Sequence, residues 1–204
     1  SVTQIAASSV IPNLPPKLTS VKLERPDTEK NAHLVNISFA AKDENEDKLT
    51  YSIQIKKTGF EKWIEIADDH DETKFTWQTN TVEDGRYEIK IIADDSPDNS
   101  AQTALTGSRI SDPFVVDNTP PKVTEASTRA VEDSAIVSIT VEDQLTRIAA
   151  VEFTVDSSEN FKGALPEDML YDTTKEFFTV SVDDLEPGPH IIALKIKDDL
   201  QNNV

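Results

Sequence analysis

The chain of 204 residues carries 38 acidic against 20 basic side chains, a net charge of −18. It therefore repels phosphate backbones and anionic lipid surfaces, which argues against nucleic acid as a partner. No apolar run approaches the ~18 residues of a membrane span, so direct membrane insertion is not expected. The absence of cysteine removes disulfide scaffolds, zinc knuckles and thiol catalysis together.

Residues 1–14 read as a linker and the end of a preceding module, because Val10 to Pro16 (V-I-P-N-L-P-P) lines up with Val115 to Pro121 (V-V-D-N-T-P-P). A first domain is expected over 15–118, with strands near 18–24, 33–41, 48–57, 61–66, 73–78, 86–93 and 110–116. Val35, Ile37 and Phe39 alternate with Asn36 and Ser38, and Tyr51, Ile53 and Ile55 form the next such row. A period of two puts each row on one face of a strand. Tyr51 and Trp77 fall in phase with these rows and read as core rather than as a sugar-stacking platform. Asp68 to Glu72 reads as a solvated hairpin between the fourth and fifth strands, Asp being an ordinary turn residue.

The second domain, expected over 119–204, repeats the first. Asn13-Leu14-Pro15-Pro16-Lys17 recurs as Asn118-Thr119-Pro120-Pro121-Lys122. Phe75-Thr76-Trp77 is answered by Phe178-Thr179-Val180, Asp84-Gly85-Arg86-Tyr87 by Pro187-Gly188-Pro189-His190, and Asp94-Asp95 by Asp198-Asp199. The row Val137, Ile139, Val141 repeats Val35, Ile37, Phe39. The spacing of landmarks is kept within a residue or two, the signature of tandem modules. Only Leu165 to Leu170 suits a helical turn, and the second copy stops where its last strand is due. Short alternating strands separated by Asp, Asn, Gly and Pro clusters predict an all-β chain of two tandem immunoglobulin-like antiparallel β-sandwiches, the second lacking its last strand. Prolines 15, 16, 120 and 121 have fixed φ and hold the preceding residues extended, so the joints are expected to be stiff.

Asp84-Gly85-x-Tyr87, with its turn glycine and corner tyrosine, resembles fibronectin type III and bacterial immunoglobulin-like repeats. Ala41 to Tyr51 (A-K-D-E-N-E-D-K-L-T-Y) is similar to the A-x-D-x-D-G-D-x-L-T-Y segment of cadherin-like repeats, with Glu46 where that pattern prefers Gly. The pair also resembles the double-sandwich tail of secreted bacterial β-propeller proteins. These resemblances imply a non-catalytic spacer and interaction module of a larger exported protein, extracellular or periplasmic. Its partners would be other domains of the same chain and protein or carbohydrate at the cell surface. Two alternatives stay open. Trp63, within Phe60-x-x-Trp63-Ile64-x-Ile66, belongs to a stretch similar to the triple-tyrosine module of periplasmic sensors, which implies a signal relay. The acidic loops fit an adhesin segment stiffened by calcium.

Residues able to carry chemistry are sparse. There is no H-E-x-x-H, no Gly-rich phosphate loop and no Gly-x-Ser-x-Gly elbow, which argues against an enzyme. His33 and His190 read as structural. In a sandwich of this kind the loops after the second and sixth strands share one end, so Asp43, Glu44, Asp47, Asp94, Asp95 and Asp98 should gather near Asn13. By the repeat, Asp117, Asn118, Glu142, Asp143, Asp198 and Asp199 form the second group and the candidate metal ligands, since hard cations such as Ca2+ take six to eight oxygens. Lys122 and Arg147 are the bases expected nearby. The competing reading of these carboxylates is as solvated turns that keep an edge-rich fold soluble.

Overall fold

In a computed structural model of the chain, residues 12–26 and 32–204 are described; the expectations for residues 1–11 lie outside them. Among the described residues every regular element is a strand apart from a single 3-10 turn at Thr79–Thr81. Among the described residues no helix is long and apolar enough to cross a membrane. The chain divides into two compact units. The first comprises residues 12–24, Val35–Trp77 and Arg86–Phe114 and the second residues 25–26, 32–34, Gln78–Gly85 and Val115–Val204.

The first sandwich has a three-stranded sheet of β1 (Lys17–Glu24), β2 (Leu34–Lys42) and β5 (Lys74–Gln78), in the order β1-β2-β5. The facing sheet runs β4-β3-β6-β7, from β4 (Ile64–His70), β3 (Thr50–Lys57), β6 (Gly85–Asp94) and β7 (Thr106–Ile110), with β8 (Phe114–Val116) also paired to β6. The alternating rows face inward as their period dictates: Val35, Ile37 and Phe39 from one sheet, Tyr51, Ile53, Ile55, Ile89 and Ile91 from the other are all buried. Burial of each such side chain is worth about 1.5–3 kcal/mol. Edge-to-face aromatic pairs, Phe39 with Tyr51 at 4.8 Å and Trp77 with Tyr87 at 5.7 Å, tie the two layers together.

Three details depart from the sequence reading. First, β4 and β5 lie in opposite sheets, so Asp68 to Glu72 is a crossover and not a hairpin. β4 runs on to His70, with Asp69 in the left-handed region (φ 49°); period-two patterning marks strands but not which sheet each joins. Second, the closing strand expected at 110–116 is split, because Pro113 has no N–H to give a ladder and falls between β7 and β8. Third, residues 165–170 are not helical. They form one turn, closed by Met169 N–H on Pro166 O at 2.9 Å, with Met169 at φ 69°, since Pro166 and the chain's return to the next strand leave no room to propagate.

The second sandwich repeats the plan with β9 (Lys122–Val131), β10 (Ser134–Glu142) and β13 (Lys175–Val182) in the order β13-β10-β9. Its other sheet is β12-β11-β14, from β12 (Lys162–Ala164), β11 (Ile148–Val155) and β14 (Ile192–Asp198). Its core is Val137, Ile139, Val141, Ile148, Val151, Phe178 and Ile196. After β14 the chain folds back, with a bridge of Lys197 to Asn203 and reciprocal Ile196–Val204 hydrogen bonds of 3.0 and 3.1 Å. Gly85 and Gly188, equivalent in the repeat, have φ of 150° and 153°, a conformation that side chains with a Cβ rarely adopt. The turn before the sixth strand thus imposes the same residue twice.

Tyr171 is a pin that the repeat does not reveal. Its hydroxyl donates to Ala164 O at 2.5 Å and accepts from Val151 N–H at 3.0 Å, while its ring rests 6.0 Å from that of Phe178. Replacing Tyr171 with Phe keeps the ring and removes both bonds. A loss of about 1 kcal/mol in the second unit is expected, read as a lower urea midpoint at unchanged slope; an unchanged midpoint would mean that water replaces both bonds at no cost.

Candidate functional site

Each unit gathers three aspartates at the loop end of its sandwich: Asp43, Asp47 and Asp95 in the first, Asp117, Asp143 and Asp198 in the second, each with carboxylate oxygens within 4.8 Å of one another. The shared plan accounts for part of the match: Asp43 and Asp143 follow the second strand, and Asp95 and Asp198 stand at the end of the sixth, one residue off the sequence register that pairs Asp94-Asp95 with Asp198-Asp199, while Asp47 and Asp117 come from different segments. The loops concerned share one end of the fold.

In the second unit, Asp117 is buried and accepts from Thr146 Oγ1 at 2.7 Å and Thr119 N–H at 3.1 Å. Asp198 Oδ1 accepts from Leu200 and Asn202 N–H, and its Oδ2 accepts from Asn202 Nδ2 at 2.7 Å. Burial pushes the Asp117 carboxyl up to about 6 despite these bonds, with Asp143 and Asp198 adding to the rise. Asp198 is raised as well, again chiefly by burial. Arg25 supplies the opposing charge. Its guanidinium donates to Ala32 O at 2.8 Å and Val115 O at 2.5 Å; burial lowers its pKa while Asp117 and Asp198 act to raise it.

The other three expected ligands are engaged elsewhere. The Asn118 amide donates to Thr79 O and Val82 O, and its backbone N–H to Asp84 Oδ1 at 2.7 Å; the Thr119 hydroxyl also donates to Asp84. Glu142 pairs with Lys175, and Asp199 with Arg147 Nε at 2.7 Å. Arg147 therefore serves Asp199 rather than the trio, and Lys122 lies exposed on β9. Sequence reasoning missed Arg25, which lies just past the first strand and outside the alternating rows and landmarks of the repeat.

The first unit's group narrows in the same way. Glu44 pairs with Lys17 at 2.7 Å, Asp94 caps Ser96 N–H and Asp98 accepts from Lys48 N–H. Asp43, Asp47 and Asp95 remain together, with Asn13 donating to Asp95 Oδ2 at 2.7 Å.

At the loop preceding β14, His190 stands between Asp156 Oδ2 at 2.5 Å from Nδ1 and Glu186 O at 2.6 Å from Nε2. Two acceptors favour the imidazolium, so the His190 pKa is raised and that of Asp156 lowered, in each case first by their mutual hydrogen bond. The histidine's contribution to stability is complete below its unfolded value of about 6.5 and fades as pH rises through the higher folded value. That of Asp156 fades only as pH falls below the ordinary carboxylate range. His190→Gln is therefore expected to cost stability at pH 6 and little at pH 9, read by thermal melts across that range; equal cost at both would show that the pair carries no charge.

No family model matches the chain, and no curated protein matches it. Among solved structures, the crystal structure of the chicken CNTN1 FN1-FN3 domains is similar over 94% of this chain and 64% of that one, at 12% identity and a TM-score of 0.37. The chain thus spans less than two thirds of that structure's length.

Proposed function

We propose that the chain is a non-catalytic spacer and interaction module of an extracytoplasmic protein, meeting protein or carbohydrate at the cell surface and other domains of the chain that carries it. The observation that supports this reading is how its reactive side chains are spent. His190 bridges Asp156 and Glu186, and buried Glu176 accepts from Asp172 N–H, Thr173 N–H and the Thr173 hydroxyl. Asp84 holds Asn118 and Thr119. These polar groups fasten loops to a sandwich frame, and their lone pairs and protons are committed to that task.

A signal relay is the second reading. The observation that favours it is Trp63, flanked by Lys56 and Lys90 with ammonium groups 4.8 and 4.5 Å from its ring centroid, close in the chain to exposed Phe60 and Ile64. Replacing residues 12–204 in the native protein with an unrelated tandem sandwich of equal length separates the readings. The module reading expects export to continue, any turnover of the remainder to be unchanged and surface attachment to be lost. Loss of a transcriptional response with attachment intact would favour the relay. Recovery of the protein only from the cytoplasm would overturn both.

A further inference from the structure

We infer that the first unit holds a calcium site built from the carboxylates of Asp43, Asp47 and Asp95 and the side-chain oxygen of Asn13. The carboxylate oxygens lie within 4.8 Å of one another, about twice a calcium–oxygen distance of roughly 2.4 Å, so one ion can touch all three. Proximity of acidic groups alone is not a site; what identifies this one is the state of two oxygens. Asp43 is only 8% exposed. Its Oδ1 accepts from Asn45 N–H at 2.7 Å and Asp47 N–H at 3.2 Å, whereas Oδ2 is sealed from solvent with no donor. Asn13 is held by its amide, which donates to Asp95 Oδ2 and to Thr103 O at 3.0 Å, and its Oδ1 is likewise buried without a donor. Buried polar atoms are almost always satisfied, and a buried charged oxygen is the costliest to leave bare.

A cation meets this need better than a donor does. None of the three aspartates forms an ion pair among the described residues; the neighbouring base, Lys17, is taken by Glu44. A water donating to the two bare oxygens would leave the repulsion among the three carboxylates untouched, while a divalent ion would satisfy the oxygens and oppose the charge together. The frame is already tied around the position. Asn45 accepts Leu14 N–H and donates to Pro12 O, and Asn99 Nδ2 donates to Asp47 Oδ2 at 2.8 Å and to Asp95 O. Oxygens drawn from three loop segments suit calcium's irregular shell of six to eight ligands, and not magnesium's demand for a near-ideal octahedron. The second trio differs on both counts, since none of its carboxylate oxygens is sealed from solvent without a donor and the Arg25 charge acts on Asp117 and Asp198.

Calorimetric titration of CaCl2 into the chelator-stripped chain tests the assignment. One ion per chain is expected to bind, with Asp43→Asn and Asp47→Asn each weakening it on the order of tenfold or more and Asp117→Asn leaving it unchanged. Asp47 is part-exposed and its replacement leaves the Asp43 turn in place, so that variant reports on binding even if Asp43→Asn folds poorly. The absence of saturable heat up to about 5 mM, above the range of extracellular calcium modules, would overturn the site. So would equal binding of magnesium, or loss on Asp117→Asn with both first-unit variants unaffected.

Discussion

Gly107→Ala is expected to destabilise the first unit by about 2–3 kcal/mol, at the upper end of what overpacking usually costs. Gly107 lies in β7, and a Cβ added there would stand 1.9 Å from Pro16 O and 3.0 Å from Pro16 C. Both are backbone atoms, in a segment whose φ is fixed by proline, so neither a rotamer change nor a small hinge can relieve the clash. The two sheet edges must part, and β1 carries Leu18 into the core. Both tryptophans, Trp63 and Trp77, belong to this unit, so intrinsic fluorescence during urea unfolding reports on it selectively. Gly163→Ala, in the second unit and read by calorimetric melting, which senses both units, provides the control. Nothing lies within 4 Å of a Cβ at Gly163, and a change within about 0.5 kcal/mol is expected. A Gly107→Ala chain with the wild-type midpoint would show that the edges separate freely.

How legible these features are in the sequence follows from the range of the interactions that create them. The rows Val35–Ile37–Phe39 and Tyr51–Ile53–Ile55 declare themselves because inward facing repeats every second residue, and all six are buried. The turn glycines 85 and 188 declare themselves because a local φ near 150° strongly favours glycine. The route from β4 to β5 does not, since changing sheets leaves the alternation within each strand intact. The need for glycine at 107 is set by the backbone of Pro16, 91 residues away in the chain, and nothing near it in sequence signals that. The carboxylate trios fall between these cases. Repeat logic brings Asp43, Asp47 and Asp95, and Asp143 with Asp198, to one end of each fold. It cannot separate them from Glu44, Glu142 or Asp199, whose side chains reach a lysine or arginine instead. Nor does it find Arg25, whose charge distinguishes the second trio from the first.

That charge bears on the remaining prediction: Asp117→Asn should stabilise the second unit at pH 7 in EDTA, by about 1–2 kcal/mol. The folded pKa of Asp117, about 6, stands above an unfolded value near 3.9. For a raised acid the stabilising contribution is complete below the unfolded value and is lost as pH rises through the folded one. At pH 7 the wild-type unit therefore carries the cost of an ionised Asp117 beside Asp143 and Asp198. The full shift would correspond to about 3 kcal/mol; water reaching the part-exposed Asp143 screens the cluster and reduces it. Asparagine removes the charge and keeps the Thr119 N–H bond through its oxygen, while its NH2, standing where Asp117 Oδ2 stands, can donate to the Thr146 hydroxyl oxygen in place of the bond that hydroxyl now gives. Calorimetric melts in EDTA should show the wild-type second unit gaining stability from pH 7 to pH 5 and the variant gaining less, with the His190→Gln background removing the histidine's share of the same trend. Arg25→Gln should steepen the wild-type trend, because it removes a positive charge that interacts with Asp117 and Asp198. An Asp117→Asn chain that is less stable than wild type at pH 7 would mean that the ionised carboxylate, with Arg25, is a net support of this loop and not a cost to it.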